Sequence, residues 1–328
     1  MLAGNINPNR FYIMKDSVDV PFVSVVVPVF NESKYISDCL RALLRQDYPK
    51  NRYEVIVVDN GSTDDSVSIA KEFTDKVFIK ENVKVGGVRN YGVKQAKGEI
   101  LAFIDGDCVA GEHWLSKAVE VLANENVGGV GGGCLLRDRP SWVERGWKLN
   151  SIKETRKVKA LAGGSFIVGR SLFEKLGGFN ELINAGEDTR LSVDITDLGF
   201  ELWFTEECYV VHLGYPSTLR GFFQREFWHA SSYLKSNYGF KDKMFLTVIL
   251  FLVSSVSFFT YLFTGFSLAL IGSVFIVLCP LAFFINQVRS QGLKGVPLQS
   301  LFFSLVLSFV YYLGRGGGFL SSVFRGRY

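Results

Sequence analysis

Residues Glu99-Ile-Leu-Ala-Phe-Ile-Asp-Gly-Asp107 indicate the fold class, because an apolar run ends there in two carboxylates that flank a glycine. Residues 100–104 are apolar without alternation, which is typical of a strand covered by helices on both faces. Asp105 and Asp107 would then leave the core at the carboxyl edge of a parallel sheet, where open α/β folds bind ligands. Two neighbouring carboxylates repel each other unless a cation lies between them or one is protonated. The stretch therefore predicts either a divalent-metal site or a strand exit in which Asp-Gly-Asp supplies turn residues.

Two earlier segments have a similar pattern. Phe22–Pro28 is rich in β-branched residues, and Glu54–Asp59 is apolar up to its terminal acid. A helical pattern follows each of them, and this order of elements is typical of a parallel sheet with right-handed crossovers. Because the carboxyl ends of parallel strands share one edge, Asp59 would lie near Asp105 and Asp107. The predicted fold class is α/β with a mostly parallel central sheet, and the pocket at that edge is of the nucleotide-binding type.

The glycine-rich run Val127–Gly133 suggests a dinucleotide-binding loop at first sight, but Gly-x-Gly-x-x-Gly cannot be written across it. A strand with close backbone approach is the preferred interpretation. Residues 137–160 combine Lys and Arg with Trp142 and Trp147, which fits either a basic and aromatic flap or an amphipathic helix.

Acids also begin a predicted helix later in the chain. Glu187 and Asp188 fall in the first turn of a helix expected over residues 185–198. The helix dipole favours acids there, so a capping role is the alternative to a functional one. We expect strands at Leu161–Val168, entered through small residues, and at Tyr209–His212, which ends in a lone histidine.

Charge distribution divides the chain near residue 243. Between Met244 and Gly314 the only charged residues are Arg289 and Lys294, so residues 244–328 are predicted to form a membrane domain. The net charge of +4, without a dense Lys/Arg run, argues against nucleic acid as a partner. Five scattered cysteines without a Cys-x-x-Cys pair argue against disulfides and structural zinc. Residues 1–21 form a polar extension that lacks the apolar core of a signal peptide.

Residues 244–263 and 265–286 are each predicted to span the membrane. The loop that follows holds Arg289 and Lys294, and the positive-inside rule therefore places it and the preceding domain in the cytoplasm. The chain is thus predicted to be a multi-pass protein of the cytoplasmic (inner) membrane. The third apolar element, about 297–314, is short, and we expect it to be re-entrant or interfacial, with a spanning helix as the competing interpretation.

The segment 217–243, just before the first span, is predicted to contain an amphipathic helix over Ser217–Tyr238. Its apolar side and its basic residues suit a helix that lies against anionic lipids. Packing beneath the preceding domain is the alternative.

Taken together, these residues resemble glycosyltransferase family 2, whose members are inverting enzymes with a GT-A fold and nucleotide-sugar donors. The resemblance covers about residues 22–230 and implies a GT-A catalytic domain over 22–216. Six short motifs occur in the family's order. They are Val26-Val-Pro-Val-Phe-Asn-Glu32, Val57-Val-Asp-Asn-Gly-Ser-Thr-Asp64, Gly87-Val-Arg-Asn-Tyr-Gly92, Phe103-Ile-Asp-Gly-Asp107, Gly177-Gly-Phe-Asn-Glu181 and Gly186-Glu-Asp188.

The resemblance implies a nucleotide-sugar pocket at the strand tips. Asp59 would hold the base, Arg89 would face the nucleotide or its diphosphate, and Asp105 would face the ribose or a metal-bound water. The other expected lining residues of this pocket are Pro28, Phe30, Glu32 and Gly106.

The resemblance also implies metal and catalytic residues. Asp107 would bind Mg²⁺ or Mn²⁺, and His212 would be a further metal ligand. Asp188 would be the catalytic base, which takes the proton of the acceptor hydroxyl as its oxygen attacks the sugar. Glu187 would position Asp188 or contact the acceptor. Gly163 and Gly164 are expected as further acceptor or positioning residues.

One motif departs from the family's pattern. Processive polysaccharide synthases carry Gln-x-x-Arg-Trp, whereas Gln224-Arg-Glu-Phe-Trp228 has Phe227 at the position of that arginine. We expect Gln224, Arg225 and Trp228 to contact or position the acceptor. Because that arginine is replaced, the motif does not favour binding of a growing polymer.

The resemblance therefore implies a membrane-bound transferase that adds one sugar. Its partners would be a UDP- or GDP-sugar, membrane lipids and a lipid-linked acceptor, either a polyprenyl phosphate or a lipid-linked saccharide. A processive synthase, with a pore formed by oligomerisation, is the alternative enzyme. A non-catalytic scaffold that binds nucleotide sugars is the alternative of another class.

Overall fold

The computed structural model describes residues 20–149, 154–183, 185–231, 243–293 and 295–325. The strands of these residues are β1 Val23–Val29, β2 Tyr53–Asp59, β3 Val77–Ile79, β4 Ile100–Phe103, β5 Cys108–Ala110, β6 Val127–Gly131, β7 Cys134–Leu136, β8 Arg156–Val158, β9 Phe166–Gly169, β10 Glu201–Phe204 and β11 Val210–His212. The helices are α1 Ile36–Leu44, α2 Ser66–Lys71, α3 Val85–Gln95, α4 Trp114–Leu122, α5 Trp142–Trp147, α6 Arg170–Lys175, α7 Glu187–Asp197, α8 Leu219–Ala230, α9 Lys243–Thr264, α10 Ser267–Gly272, α11 Phe275–Gln291 and α12 Leu298–Arg325.

The central sheet has eight strands in the order β3-β2-β1-β4-β9-β6-β10-β8. Strands β1 to β4 are parallel, and β1, β2 and β4 are buried along their whole length. The register pairs Val29 with Asp59 and Val26 with Phe103, so the loops after β1, β2 and β4 leave at one edge. The predicted parallel half of the sheet is confirmed. The second half is mixed, because β9 runs antiparallel to both β4 and β6.

Strands β5, β11 and β7 form a small second sheet, which carries residues 108 to 110 beside His212. Its central strand, β11, pairs antiparallel with β5 and parallel with β7. The second sheet therefore brings the histidine at the end of β11 next to the segment that follows β4.

The glycine-rich run forms β6, as predicted, and its glycines are needed for packing. A Cβ on Gly129 would lie 2.9 Å from Leu202 Cδ2, and one on Gly131 would overlap the carbonyl oxygen of Ser165. In residues 137–160 the helical alternative forms over Trp142–Trp147, where the Ser141 side chain and Glu144 make a capping box.

The strand expected over residues 161–168 is shorter than predicted, since β9 begins only at Phe166. Helix α7 takes the backbone donors that a longer strand would use. Leu161 N donates to Ser192 Oγ at 3.0 Å, and Gly163 N donates to an Asp188 carboxylate oxygen at 2.8 Å. Residues 161–165 therefore form a turn beside the start of α7.

Three C-terminal segments are long and apolar enough to cross a membrane, namely 244–264, 269–291 and 298–324. The first two agree with the predicted spans. The third differs from the expected 297–314 element, because α12 continues without a break to Arg325, and a re-entrant loop is not formed. Its glycines do not interrupt it because they pack closely, as Gly314 does against Glu226 and Gly316 against Leu252.

The helix expected over Ser217–Tyr238 is present as α8, Leu219–Ala230, while residues 232–242 lie outside the described part of the chain. Helix α8 packs on α12 and contributes Phe222 to a buried cluster with Leu307 of α12 and Val248 of α9. The Phe222 ring also lies 4.9 Å from the Trp147 ring of α5, so the buried side of α8 agrees with the alternative of packing beneath the preceding domain.

Candidate active site

A cavity of about 680 Å³ opens where the loops after β1 and β4 meet the start of α7. Ligand pockets commonly measure about 300–1,000 Å³. Most of the residues predicted from the sequence line it: Pro28, Phe30, Glu32, Arg89, Asp105, Gly106, Asp107, Gly163, Glu187, Asp188, His212 and Trp228.

The loop after β1 is held at the cavity by the loop after β2. Asn31 has a positive φ of 57°, and its side-chain oxygen accepts a hydrogen bond from Thr63 N at 2.8 Å. The next residue, Glu32, donates its N–H to Ser66 Oγ at 2.8 Å. These bonds fix the backbone between Phe30 and Glu32, so the Phe30 ring stays 56% exposed.

Asp59 does not line the cavity, contrary to the expectation that it would hold the nucleotide base. Its side chain is buried and accepts hydrogen bonds from Gly61 N at 2.9 Å, from Ser62 N at 2.8 Å and from the Ser62 hydroxyl. The turn that follows β2 therefore uses this carboxylate. The neighbouring Asn60, which the sequence did not single out, lines the cavity instead.

Arg89 is positioned differently from the prediction that it would face the nucleotide. Its side chain is only 3% exposed and forms ion pairs with Asp105 at 2.6 Å and with Glu187. Burial lowers the pKa of the guanidinium, but these carboxylates raise it by more, so Arg89 remains charged. The close approach requires Gly163, because a Cβ there would lie 2.6 Å from Arg89 Nη2. Arg89 therefore joins the Asp-Gly-Asp segment to the start of α7.

Asp107 and His212 form the part of the cavity best suited to a cation. His212 Nδ1 lies 3.5 Å from Asp107 Oδ2, and this nitrogen is buried without a hydrogen-bond partner among the described residues. Burial is the largest cause that raises the pKa of Asp107. Gly214 makes room for the carboxylate, since a Cβ there would overlap Asp107 Oδ2. An orphaned imidazole nitrogen beside a buried carboxylate fits a divalent cation.

Cys108 lies in the same cluster, but its chemistry differs. Asp107, Cys108 and His212 offer atoms within 4.8 Å of one another. Burial, with the nearby Asp107 and Asp105, raises the pKa of the Cys108 thiol well above its ordinary value. The thiol therefore stays protonated, and its Sγ donates to Asp107 Oδ1 at 3.5 Å.

Glu32 adds a third acid to this end of the cavity. Burial raises its pKa to about 8, and Asp107, Asp105 and Asp64 contribute in the same direction. The acids here exceed the cations that offset them, so a bound divalent cation would relieve the repulsion.

Asp188 lies at the first turn of α7, which begins after Gly186 at φ 89°. One carboxylate oxygen accepts from Gly163 N at 2.8 Å and the other from Thr189 N at 2.6 Å. The Thr189 hydroxyl also donates to this second oxygen, at 3.3 Å. The oxygen bonded to Gly163 N keeps a further lone pair, so the carboxylate is held in place and can still accept a proton there.

Of the other predicted residues, Gly164 lies just behind the lining, where a Cβ would be 3.3 Å from Asp105 Oδ2. Gln224 and Arg225, which were expected to contact or position the acceptor, do not line the cavity. Arg225 instead lies over the Trp147 ring, 5.0 Å from its centroid, and bonds to Glu226 at 2.9 Å.

The lining residues that the sequence analysis did not single out include His229 of α8 and Arg315 of α12. Arg315 had a recognisable signal, because it is an isolated cation between glycines at the end of a long apolar run.

The model of "Glycosyl transferase family 2" matches residues 24–177. "Glycosyltransferase AglE" of Haloferax volcanii is 33% identical over 212 residues, which is 60% of this chain and 68% of that relative. The chain belongs to glycosyltransferase family 2. The transferase is also 27% identical, over 159 residues, to a Methanococcus voltae protein named "Dolichyl N-acetyl-alpha-D-glucosaminyl phosphate 3-beta-D-2,3-diacetamido-2,3-dideoxy-beta-D-glucuronosyltransferase". That match covers 44% of this chain and 46% of the relative.

Among solved structures, the transferase is similar to "Mannosyltransferase PcManGT from Pyrobaculum calidifontis in complex with GDP-Man and Mn2+". The TM-score is 0.56 at 19% identity, and the match covers 93% of this chain and 92% of that one. The expected GT-A fold is confirmed by this likeness and by the family.

Proposed function

We propose that this chain is a metal-dependent, inverting glycosyltransferase of the membrane, which moves one sugar from a nucleotide-sugar donor to a lipid-linked acceptor. One observation carries the proposal. Asp188, a carboxylate oriented to accept a proton, lines the same cavity as the cation-suited pair Asp107 and His212. Inversion needs these two functions on opposite sides of the sugar.

The donor would bind at the strand tips. The exposed Phe30 ring, with Pro28 and Asn60, offers a surface on which a base can stack. Asp107 and His212 would hold Mg²⁺ or Mn²⁺, which supplies positive charge for the departing diphosphate. The Pyrobaculum mannosyltransferase was solved in complex with GDP-Man and Mn²⁺. That likeness concerns the fold, so the metal proposal depends on the orphaned nitrogen of His212.

The acceptor hydroxyl would lose its proton to Asp188 as its oxygen attacks the anomeric carbon. The backbone donors Gly163 N and Thr189 N keep the carboxylate in place during this step. Arg89 forms ion pairs with Asp105 and Glu187 and is therefore a positioning residue. It would hold the Asp-Gly-Asp segment, where the donor binds, against the start of α7, which carries the base Asp188.

A lipid-linked acceptor is supported by two observations. The name of the Methanococcus relative contains a dolichyl-linked sugar phosphate. In addition, the cavity is lined by Trp228 and His229 of α8 and by Arg315 of the apolar helix α12. A helix that is long and apolar enough to cross a membrane, α12, thus reaches the site itself.

We propose that α9 and the α10–α11 segment cross the membrane, whereas α12 lies along its cytoplasmic surface. Helix α12 contacts the catalytic unit over much of its length, from Phe303, whose ring is 5.2 Å from Trp142, to Gly318, which meets Phe227. These two positions are about 22 Å apart along a helix. A helix crossing about 30 Å of hydrocarbon would carry much of this contact, with its charged partners, into the bilayer.

Contacts on the other side of α12 agree with this arrangement. Phe245, near the start of α9, is 5.4 Å from Phe319, and Phe283, in the middle of α11, is 4.4 Å from Tyr311. The beginning of α9 and the middle of α11 therefore rest on α12. Large apolar side chains line one exposed face of α12, within about 100° at 100° per residue. They are Leu298, Phe302, Leu313, Leu320, Val323 and Phe324.

The residue at the arginine position of the Gln-x-x-Arg-Trp motif favours single addition over processive synthesis. Phe227 stands there, and its ring packs 3.2 Å from where a Cβ of Gly317 would be. A packed ring offers no charge to a growing polymer.

The proposal is tested with the full chain in lipid nanodiscs. A thermal-shift screen of GDP- and UDP-sugars with Mn²⁺ identifies the donor, and labelled donor is then mixed with undecaprenyl or dolichyl phosphate. We expect one labelled lipid product that requires the metal. A ladder of products would contradict single addition, and donor binding without transfer to any lipid would contradict the lipid acceptor.

A further inference from the structure

The His212 ring lacks the hydrogen bond that usually orients a metal ligand. Metal-binding histidines almost always donate their second ring nitrogen to a carboxylate, a backbone carbonyl or water, and this bond fixes the ring. Among the described residues neither ring nitrogen of His212 makes such a bond, and Nδ1 approaches Asp107 Oδ2 only to 3.5 Å. The χ2 torsion of histidine is broad and roughly two-fold. The orientation of this imidazole therefore depends on other contacts.

The backbones of the two proposed ligands are already joined. Leu213 N donates to the carbonyl oxygen of Asp107 at 2.8 Å, and β11 pairs His212 with Cys108 of β5. Gly214 confines the Asp107 carboxylate, since a Cβ there would overlap Oδ2. The torsions of the His212 side chain are therefore the main remaining freedom of this pair.

Tyr215 restricts that freedom. Its ring stacks on the imidazole of His212, with the two centroids 4.1 Å apart and the ring planes at 21°. Rotation of the imidazole about χ2 would drive its edge into the tyrosine ring, so the stacked arrangement disfavours it. The contact thus keeps Nδ1 of His212 directed toward Asp107.

The tyrosine ring is held in turn by neighbouring elements. Its hydroxyl forms a hydrogen bond with the Cys134 thiol of β7. The Arg225 guanidinium of α8 lies 6.0 Å from the centroid of the Tyr215 ring, at the outer limit of a cation–π contact. Arg225 is anchored by Glu226, at 2.9 Å, and by the Trp147 ring, whose centroid is 5.0 Å away. These contacts define the position of Tyr215 without any metal.

We propose that Tyr215 is a positioning residue of the metal site, which orients His212 by stacking in place of the usual hydrogen bond. The inference rests on the proposed function, because it concerns the cation of the same cavity. Tyr215 does not line the cavity, so it acts through His212. An aromatic ring at residue 215 is therefore required for metal binding, whereas its hydroxyl is not.

The first test needs no metal and uses the full chain in lipid nanodiscs. The chain has three histidines, so selective histidine labelling gives few ring signals in NMR spectra, and H212Q assigns the one from His212. A stacked tyrosine shifts the ring-proton signals upfield. We expect Y215L to lose this shift and Y215F to keep it. Y209L, which removes an exposed ring outside the cavity, is the matched control. An unchanged His212 signal in Y215L would overturn the inference.

The second test measures Mn²⁺ binding by calorimetry. Y215L should weaken it by about 10-fold, the low end of the cost of losing a partner that orients a metal ligand. Y215F and Y209L should stay within about twofold of the wild type. An unchanged Kd in Y215L would overturn the inference.

Pulsed EPR of the bound Mn²⁺ separates positioning from a general loss of fold, because a nitrogen ligand adds a hyperfine coupling. At saturating Mn²⁺ the wild type and Y215F should show this coupling, and Y215L should lose most of it. Full coupling in Y215L would overturn the inference. Absence of Mn²⁺ binding by the wild type would contradict the proposed function, while the NMR signal would still show whether Tyr215 orients His212.

Discussion

Gly214 controls the room available to the Asp107 carboxylate, and replacing it tests the metal site directly. In Gly214→Ala the new Cβ would overlap Asp107 Oδ2 and lie 2.9 Å from Asp107 Cγ. The carboxylate oxygen would have to move by roughly 1 Å, whereas metal sites tolerate only about 0.2 Å in their ligand distances. That oxygen lies 3.5 Å from His212 Nδ1, the other proposed ligand atom. The substitution should therefore disturb the geometry of the two ligands without removing either.

We expect Gly214→Ala to weaken Mn²⁺ binding by about 10- to 100-fold, the range found when groups that orient metal ligands are lost. Calorimetry with Mn²⁺ and the purified full chain measures the Kd. Gly169→Ala is the matched control, because no atom lies within 4 Å of a Cβ there and its φ is not positive. Its Kd should stay within about twofold of the wild type. An unchanged Kd in Gly214→Ala would refute the assignment of Asp107 as a metal ligand.

Three further predictions concern other parts of the molecule. The pKa of Glu32 is raised to about 8 in the fold, so this carboxyl destabilises the metal-free protein as pH rises from about 4.5 to about 8. The melting temperature without metal should fall over that range, and Glu32→Gln should remove part of the fall. Gly318→Ala, which overlaps Phe227, should lower the melting temperature and weaken acceptor binding while donor binding persists, and equal loss of both would contradict a local effect. Fluorophores placed at Phe302 and Leu320, both exposed on α12, should report the same depth in the bilayer when depth-dependent quenchers are used. In a spanning helix their depths would differ by up to about 27 Å.

Local patterns in the sequence were enough to predict the parallel strands and the acids at their tips. The apolar run before Asp105 and the acids after Gly186 each depend on a few neighbouring residues, and the structure places both at one cavity. The identity of the family followed from the same short motifs.

The orientation of individual side chains could not be predicted, because it depends on competing partners. Asp59 is at the expected strand end, yet three donors from its own turn occupy its carboxylate. Arg89 is buried because Asp105 and Glu187 meet around it from segments far apart in sequence. The pairing of Arg315 with Glu226 joins residues 89 positions apart, and no local pattern connects them.

The proposed mechanism depends most on Asp188 as the proton acceptor in a cavity that also binds donor and metal. Asp188→Asn keeps the size of the side chain and removes only its basicity, while Asp197→Asn, at the exposed end of the same helix, is the control. We expect sugar transfer by Asp188→Asn to fall by about 10²- to 10⁴-fold, with binding of nucleotide sugar and Mn²⁺ within a few fold of the wild type. Near-normal turnover in this variant, with the control equally active, would contradict the central claim.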